Sequence, residues 1–343
     1  MATIKDVAAR AGVSVSLVSH YLNGRKGLGP ESRRRIEEAI EALHYRPNEL
    51  ARSLVRQRTN TIGVVVSHLS NPFLFDLFDG IEQGAKDYNI VYCSASADVH
   101  KRRRYFDFFL HGRADALIVY GSGTADKELV EELTRAKFPV VLVEHDLPNE
   151  AAGRILIDNF TAGREATDYL IALGHRNLLF LGGMEQIDAV RNRREGFEAA
   201  CHAALDKGVH PIVLNPGYAN GGVVSRRTLF DSAYRAMRDY LYQHDDPDAI
   251  FSSGDILAYG AIQALQEKGI EIPKDVSVIG FDDESGFEFG VAFPRLTTMR
   301  QPLSEIGKLA VETAIAQIGG AKPAKIVVST EMIDRGTCIK RQV

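Results

Sequence analysis

The sequence is poor in cysteine, and the three it has, Cys93, Cys201 and Cys338, are an odd number at wide spacing. That excludes a disulfide framework and a zinc knuckle, and it fits a reducing cytosol. Each thiol reads as a small buried hydrophobe. No apolar run approaches the roughly 18 residues that a membrane helix needs. The opening stretch "MATIKDVAARAGV" has no basic segment leading into an apolar core, so no secretory signal is read there and a cytoplasmic location is expected. There is no Walker loop, no G-x-S-x-G and no H-E-x-x-H. Catalysis therefore has no visible carrier, and neither an enzyme, a cofactor nor a metal is expected. What is there is ordinary for a soluble chain, 45% hydrophobic and 25% charged. A length of 343 residues suggests two or three domains.

Charge is unevenly spread. Residues 1–58 hold eleven Lys/Arg against six Asp/Glu, or +5, while the rest of the chain sums to -9. A basic head on an acidic body is expected when one end meets a polyanion.

The head, residues 1–46, reads as three short helices. Thr3 can cap a helix from Ile4 to Ala11, with Asp6 in its first turn, and Gly12 ends it. In "GVSVSLVSHYLNG", Ser14 caps a second helix and Asn23-Gly24 stops it. Two short helices across a tight glycine turn make a helix-turn-helix. A third follows Pro30, with Ile36, Ile40 and Leu43 in a stripe. The second helix of such a unit lies in the major groove, which explains its polar face. Val15, Ser16 and His20 are placed for bases, Ser14 and Ser19 for phosphates, and Thr3 and Asn23 are further DNA-binding candidates. Residues 47–60 form a hinge. Asn48 can cap one or two turns running to Leu54, too short to be stable alone. Its apolar Leu50, Ala51, Leu54 and Val55 suit a segment that folds on DNA and wedges a side chain into the minor groove.

From Thr61 to the end, strand runs such as "TIGVVVS", "DALIVYG" and "NLLFLGG" alternate with helical patterns. This predicts an α/β body, 61–343, of two doubly wound parallel-sheet halves, with ligands off the C-terminal strand ends.

The motifs "TIKDVAARAGVSVSLVSHYLNG", "RPNELARSL" and "TIGVVVSHLSNPF" resemble the LacI/GalR family of bacterial transcription regulators. The likeness continues through "IDNFTAG", "LGHRNLLFLGG", "RREGFEAA", "GDILAYGAIQAL", "IPKDVSVIGFDD" and "LTTMRQP", across essentially the whole chain. It implies a ligand-controlled repressor that binds a palindromic operator as a homodimer, with a body like a periplasmic sugar-binding protein. The implied lobes are about 61–160 with 293–325, and 161–292 with 326–343. The implied crossovers lie near 159–163, 290–296 and 323–328. Leu54 matches the leucine inserted at the operator centre, with Ala51 beside it. Arg193 and Asp282 match effector-binding residues, Phe73 and Leu74 an aromatic wall, and Asp158 and Tyr218 are further candidates. Asp255 either contacts the effector or caps the helix of "DILAYGAIQAL". There are departures: His20 stands where the family usually has Arg, Leu17 where it often has Thr, Gly29 for a Ser or Thr cap, and Gly254 for a frequent Asn.

A sugar fits this set, since Arg and carboxylates pair with vicinal hydroxyls and a ring packs on the C–H face. A purine would want stacking on both faces, which Leu74 weakens. Asp283 and Glu284 read as a solvated turn, and "KRRRY" from Lys101 to Tyr105 as a solvated helix face. "EHD" (Glu144, His145, Asp146) superficially suggests a metal, but neighbours on an extended chain point apart. The chain ends at "RGTCIKRQV" with no heptad segment for a tetramer, so a dimer through the body is expected. A periplasmic solute binder lacks its signal here and would not need the DNA head. An enzyme on the same sheets, ribokinase- or hydrolase-like, lacks its phosphate loop or nucleophile.

Overall fold

The computed structural model describes residues 2–23, 27–46, 58–95, 98–121, 126–145, 147, 150–183, 187–217, 225–244, 247–284 and 293–341. They divide into two units, Met1–Thr59 and Asn60–Val343. Among the described residues no helix is long and apolar enough to cross a membrane.

In the first unit, α1 (Ile4–Ala11) starts from Thr3 through a reciprocal cap, in which the Asp6 carboxylate accepts from the Thr3 amide at 2.7 Å. Gly12 ends it at φ 62°, a left-handed backbone that strains any other side chain. α2 (Val15–Leu22) starts from Ser14, whose Oγ accepts from the Leu17 amide at 3.2 Å. α3 (Pro30–Ala42) has Pro30 at its first position. Val7, Ala8, Ala11, Val18, Ile36 and Ala39 form the core, with Tyr21, Leu22, Ile40 and Leu43 packed half-buried around it. Tyr21 ties α2 to α3 by donating to Glu37 Oε1 at 2.8 Å.

Gly29 precedes α3 with no side-chain cap, and a Cβ there would meet nothing within 4 Å. Gly29→Asp should supply the cap and a favourable charge at the helix N-terminus, adding roughly half a kcal/mol. Urea unfolding of the full chain, followed at the head, should show a higher midpoint. A lowered midpoint would contradict the open geometry.

The second unit holds two six-stranded sheets. Along the chain run β1 (Thr61–Val66), α4 (Phe75–Ala85), β2 (Asn89–Ser94), α5 (Val99–Leu110), β3 (Ala116–Tyr120) and α6 (Lys127–Arg135). Then come β4 (Val140–Val143), β5 (Gly153–Ile157), α7 (Asn159–Ala172), β6 (Asn177–Leu181), α8 (Asp188–His202) and β7 (His210–Leu214). There follow α9 (Arg226–Gln243), β8 (Ala249–Ser252), α10 (Asp255–Glu267), β9 (Ser277–Phe281) and β10 (Thr297–Arg300). The chain closes with α11 (Leu303–Ile318), β11 (Lys325–Val328) and β12 (Glu331–Ile333). The first sheet is parallel throughout, in the order β11-β5-β4-β3-β1-β2. The second runs β12-β10-β9-β8-β6-β7, parallel except for β12. Alternate residues feed cores on opposite faces: Ile62, Val64 and Val66 point to one and Val65 to the other. Leu179 and Leu181 part from Leu178 and Phe180 in the same way.

The helix pairs that cover these sheets cross through glycine. A Cβ on Gly163 of α7 would lie 2.9 Å from the Arg193 Cα on α8, and one on Gly196 would lie 2.7 Å from the Arg164 nitrogen. Gly80 of α4 meets Ser304 of α11 at 2.8 Å in the same sense. No side chain fits at such crossings without moving backbone.

The crossovers differ from the expectation. The first falls at Asp158, between β5 and α7, one residue before the expected 159–163. The second is not at 290–296, because β10 still pairs with β9 in the second sheet, Thr297 opposite Ile279. It lies at Gln301–Pro302, before α11 packs on the first lobe. The third is at Ser329–Thr330 rather than 323–328, since β11 first completes the first sheet beside β5. The lobes are therefore 61–157 with 303–328, and 159–300 with 331–341. "KRRRY" is also not wholly solvated: Arg102 is buried and ion-paired with buried Asp126, which joins α5 to the start of α6.

Candidate functional site

In the first unit the exposed side of α2 is the candidate surface. Val15 is 41% exposed. Ser16 and His20 are exposed as well. Ser14 Oγ accepts the Leu17 amide, so its own proton remains available to an external acceptor. Ser19 is half-buried, and Asn23 donates to its carbonyl at 2.8 Å and to its hydroxyl at 3.3 Å. Asn23 thus stiffens the end of α2. The Thr3 hydroxyl donates to Asp6 at 2.8 Å, so Thr3 serves chiefly as the cap of α1. Asn48, Ala51 and Leu54 lie outside the described residues.

In the second unit a cleft of about 450 Å³ opens at the C-terminal ends of the strands. The first lobe supplies Pro72, Phe73, Phe75, Asp76 and Leu303. The second supplies Arg226, Asp282, Asp283, Glu284 and Arg300, with Gln301 at the crossover. Arg193 lies behind this wall, 5% exposed, where α8 delivers it from the glycine crossing. Its Nε donates to Asn159 Oδ1 at 2.8 Å and one terminal nitrogen to the Ser253 carbonyl at 2.6 Å. The same nitrogen is 3.5 Å from Asp282 Oδ1, and the guanidinium lies 3.4 Å above the Phe281 ring centre. All these partners fix the planar fork in one orientation.

Asp282, Asp283 and Glu284 form the turn after β9. Asp282 and Asp283 take φ of 104° and 60°, a backbone unfavourable for residues with a Cβ. Three bonds hold the turn there: Asp282 N to Met299 O at 2.9 Å, Asp283 N to Thr298 Oγ1 at 3.4 Å, and Glu284 N to Asp255 Oδ2 at 2.7 Å. Burial raises the Asp282 pKa above the usual carboxylate range, while the Arg193 charge and the Gln301 bond pull it back. Each carboxylate of the turn has a guanidinium: Arg193 on Asp282, Arg300 at 2.7 Å and Arg335 at 2.6 Å on Asp283, and Arg226 on Glu284.

The other expected contacts have different work. Leu74 is 3% exposed and belongs to the first lobe's core. Asp158 caps α7, accepting from the Thr161 amide at 3.0 Å. Asp255 does not cap α10, whose N-cap is Gly254. It is fully buried under the turn, accepting also from Thr298 Oγ1 at 2.9 Å, and burial pushes its pKa well up. Tyr218 lies outside the described residues. Phe73 and Asp282 do line the cleft.

Sequence reasoning missed Arg226, Asp283, Glu284, Arg300, Gln301 and Asn159. Asp283 and Glu284 line the cleft instead of forming a solvated turn, because Arg226, Arg300 and Arg335 fold over them. Glu144 was also missed. It is half-buried at the end of β4 with φ 56°, and its Oε1 accepts from the Ile157 amide at 2.7 Å. The available signal was position: all of these except Arg226, which opens α9, stand at strand ends or crossovers.

Comparison with known proteins bears on both units. A family model for "Bacterial regulatory proteins, lacI family" matches residues 3–48, and one for a "Periplasmic binding protein-like domain" matches 167–338. The chain is 32% identical over 323 residues to the ribose operon repressor of Haemophilus influenzae, covering 93% of this chain and 92% of that protein. It is 33% identical over 321 residues to the transcriptional repressor PurR of Pectobacterium atrosepticum, covering 93% and 91%. A solved structure, the transcriptional regulator CelR in complex with cellobiose, superposes with a TM-score of 0.68 at 26% identity, covering 98% of this chain and 100% of that one. The chain therefore belongs to the LacI family of bacterial regulatory proteins: it is an effector-responsive, DNA-binding transcription repressor, not an enzyme.

Proposed function

We propose that the protein binds a palindromic operator as a homodimer in the cytoplasm, and that a sugar or sugar derivative in the body cleft controls this binding. The observation that carries the DNA half is the exposed Val15–Ser16–His20 surface on the second helix of a capped three-helix unit. One such helix reads one half-site, so a two-fold operator calls for two copies. Val15, Ser16 and His20 meet base edges, Ser14 and Ser19 meet phosphates, and Leu54 with Ala51 and Asn48 forms the minor-groove wedge. For the effector, Phe73 and Phe75 offer rings while Arg193 and Asp282 organise the polar wall. The relatives named for ribose and cellobiose agree with a sugar.

Selection from randomised half-sites tests the DNA reading. Wild type should enrich a two-fold motif. His20→Ala should relax one symmetric pair of positions, at a cost of roughly 1–3 kcal/mol, because imidazole makes a single base contact. If both proteins rank every base alike at every position, His20 does not read sequence. A gel-shift on the selected motif, run with added sugars and nucleobases, tests the effector: a nucleobase that alone alters binding would replace the sugar.

A further inference from the structure

We infer that the effector is an uncharged, hydroxyl-bearing molecule, and that this cleft excludes phosphorylated and carboxylated sugars. The inference rests on the cleft being the effector site, as proposed above. Two independent observations carry it.

The first is the charge inventory. Four carboxylates line the described wall, Asp76, Asp282, Asp283 and Glu284, against two guanidiniums, Arg226 and Arg300. Arg193 and Arg335, which reach the same carboxylates from behind, only restore balance. Every one of these four guanidiniums is already bound to a carboxylate. An entering anion would have to break an existing pair to gain a cation, and would meet the released carboxylate at close range. Helix N-termini, the other common anion holders, carry carboxylates of their own here. α4, α7 and α10 begin with Asp76, Asp158 and Asp255 in the first turn or the cap. The body residues outside the described set contain no Lys, Arg or His; their ionisable side chains include Asp146, Glu185 and Glu288. They have no cation to add.

The second observation is Gln301. It lines the cleft at the second crossover and is 7% exposed. Its Nε2 donates to Asp282 Oδ1, which fixes the amide's orientation, because a carboxylate beside Arg193 accepts. Its Oε1 is buried and has no hydrogen-bond partner among the described residues. A buried carbonyl oxygen requires a donor. A sugar hydroxyl is such a donor, on charged and uncharged sugars alike, so this oxygen calls for a hydroxyl-bearing ligand while the charge inventory calls for an uncharged one.

Calorimetric titration of the full-length protein with matched pairs tests this: ribose with ribose 5-phosphate, glucose with glucose 6-phosphate, galactose with galacturonate, and cellobiose as an uncharged disaccharide. At least one uncharged sugar should bind, and in any pair that binds the charged member should be weaker by about a hundredfold or more. Gln301→Met, which keeps the length and removes the acceptor, should weaken that uncharged sugar by about tenfold or more. A charged member that binds as tightly as its partner, and loses binding in Arg193→Ala, would leave the cleft reading standing and overturn this inference. Sugar binding indifferent to both substitutions, or no binding in either arm, would overturn the cleft as a sugar site and the inference with it. The wild-type pair comparison does not depend on either variant folding.

Discussion

Arg193→Ala should cost the protein its effector: affinity falls by at least about a hundredfold, and the ligand no longer changes operator binding. The reason is the number of groups that one side chain serves. Removing it leaves Asp282 without its cation, and Asn159 Oδ1 and the Ser253 carbonyl without their donor, in a wall that is almost wholly buried. Leaving Asp282, whose side chain is 19% exposed and keeps its bond from Gln301, without that cation also costs stability, about 1–3 kcal/mol. Arg193→Lys separates the two effects. It restores a charge beside Asp282 and recovers much of the melting temperature, but a lysine cannot reach three acceptors in one plane, so recognition stays poor. Titration of each variant with the wild-type effector, alongside thermal melts, is the check. An Arg193→Ala protein that binds the same ligand with unchanged affinity would remove Arg193 from the site.

Gly163→Ala, far smaller as a chemical change, should be nearly as damaging. The new methyl would press on the Arg193 backbone, with the Arg193 Cα and carbonyl carbon each at 2.9 Å. Gly196, one turn further along α8, meets the backbone of α7 just as closely, so the helices cannot slide to make room. Forcing them apart costs about 3 kcal/mol. It also shifts the guanidinium relative to Asn159 and Asp282, and a binding constellation tolerates only about 0.5 Å of such error. Both the unfolding midpoint and effector affinity should fall together. A variant of wild-type stability would show that the crossing is looser than described.

The head was legible because its signals are local. Thr3 with Asp6, Gly12, Ser14 and Pro30 each act within one turn, and each stands in the structure at the role its residue type suggests. The wound sheets were legible because parallel strands buried on both faces leave continuous apolar runs such as those of β1 and β6. The crossovers were not, because β10 looks like a linker until its partner β9 is known, and pairing between strands leaves no mark in either one alone. The cleft was half legible. Phe73, Arg193 and Asp282 stood out by motif, but whether Asp158 faces a ligand or its own helix depends on a backbone turn three residues long. Asp283 and Glu284 carry no sign in sequence that Arg300, Arg335 and Arg226 close over them from other elements.

The order in which the lobes take up the chain has a consequence for synthesis. The first lobe begins at β1, yet its sheet lacks an edge until β11, and the glycine face of α4 stays bare until α11 arrives. The second lobe is nearly complete by Arg300, wanting only β12 and the tail that follows. On the ribosome the first lobe to start is thus the one left open longest, exposing the apolar side of β1, β3 and β4 while the other closes behind it. The three-helix head, by contrast, is built from contiguous residues and leaves the exit tunnel before the body. A nascent chain passes through a stage in which the DNA-reading helices are whole and the ligand-sensing body is not, and a message cut short near its end would yield that same unregulated half-molecule.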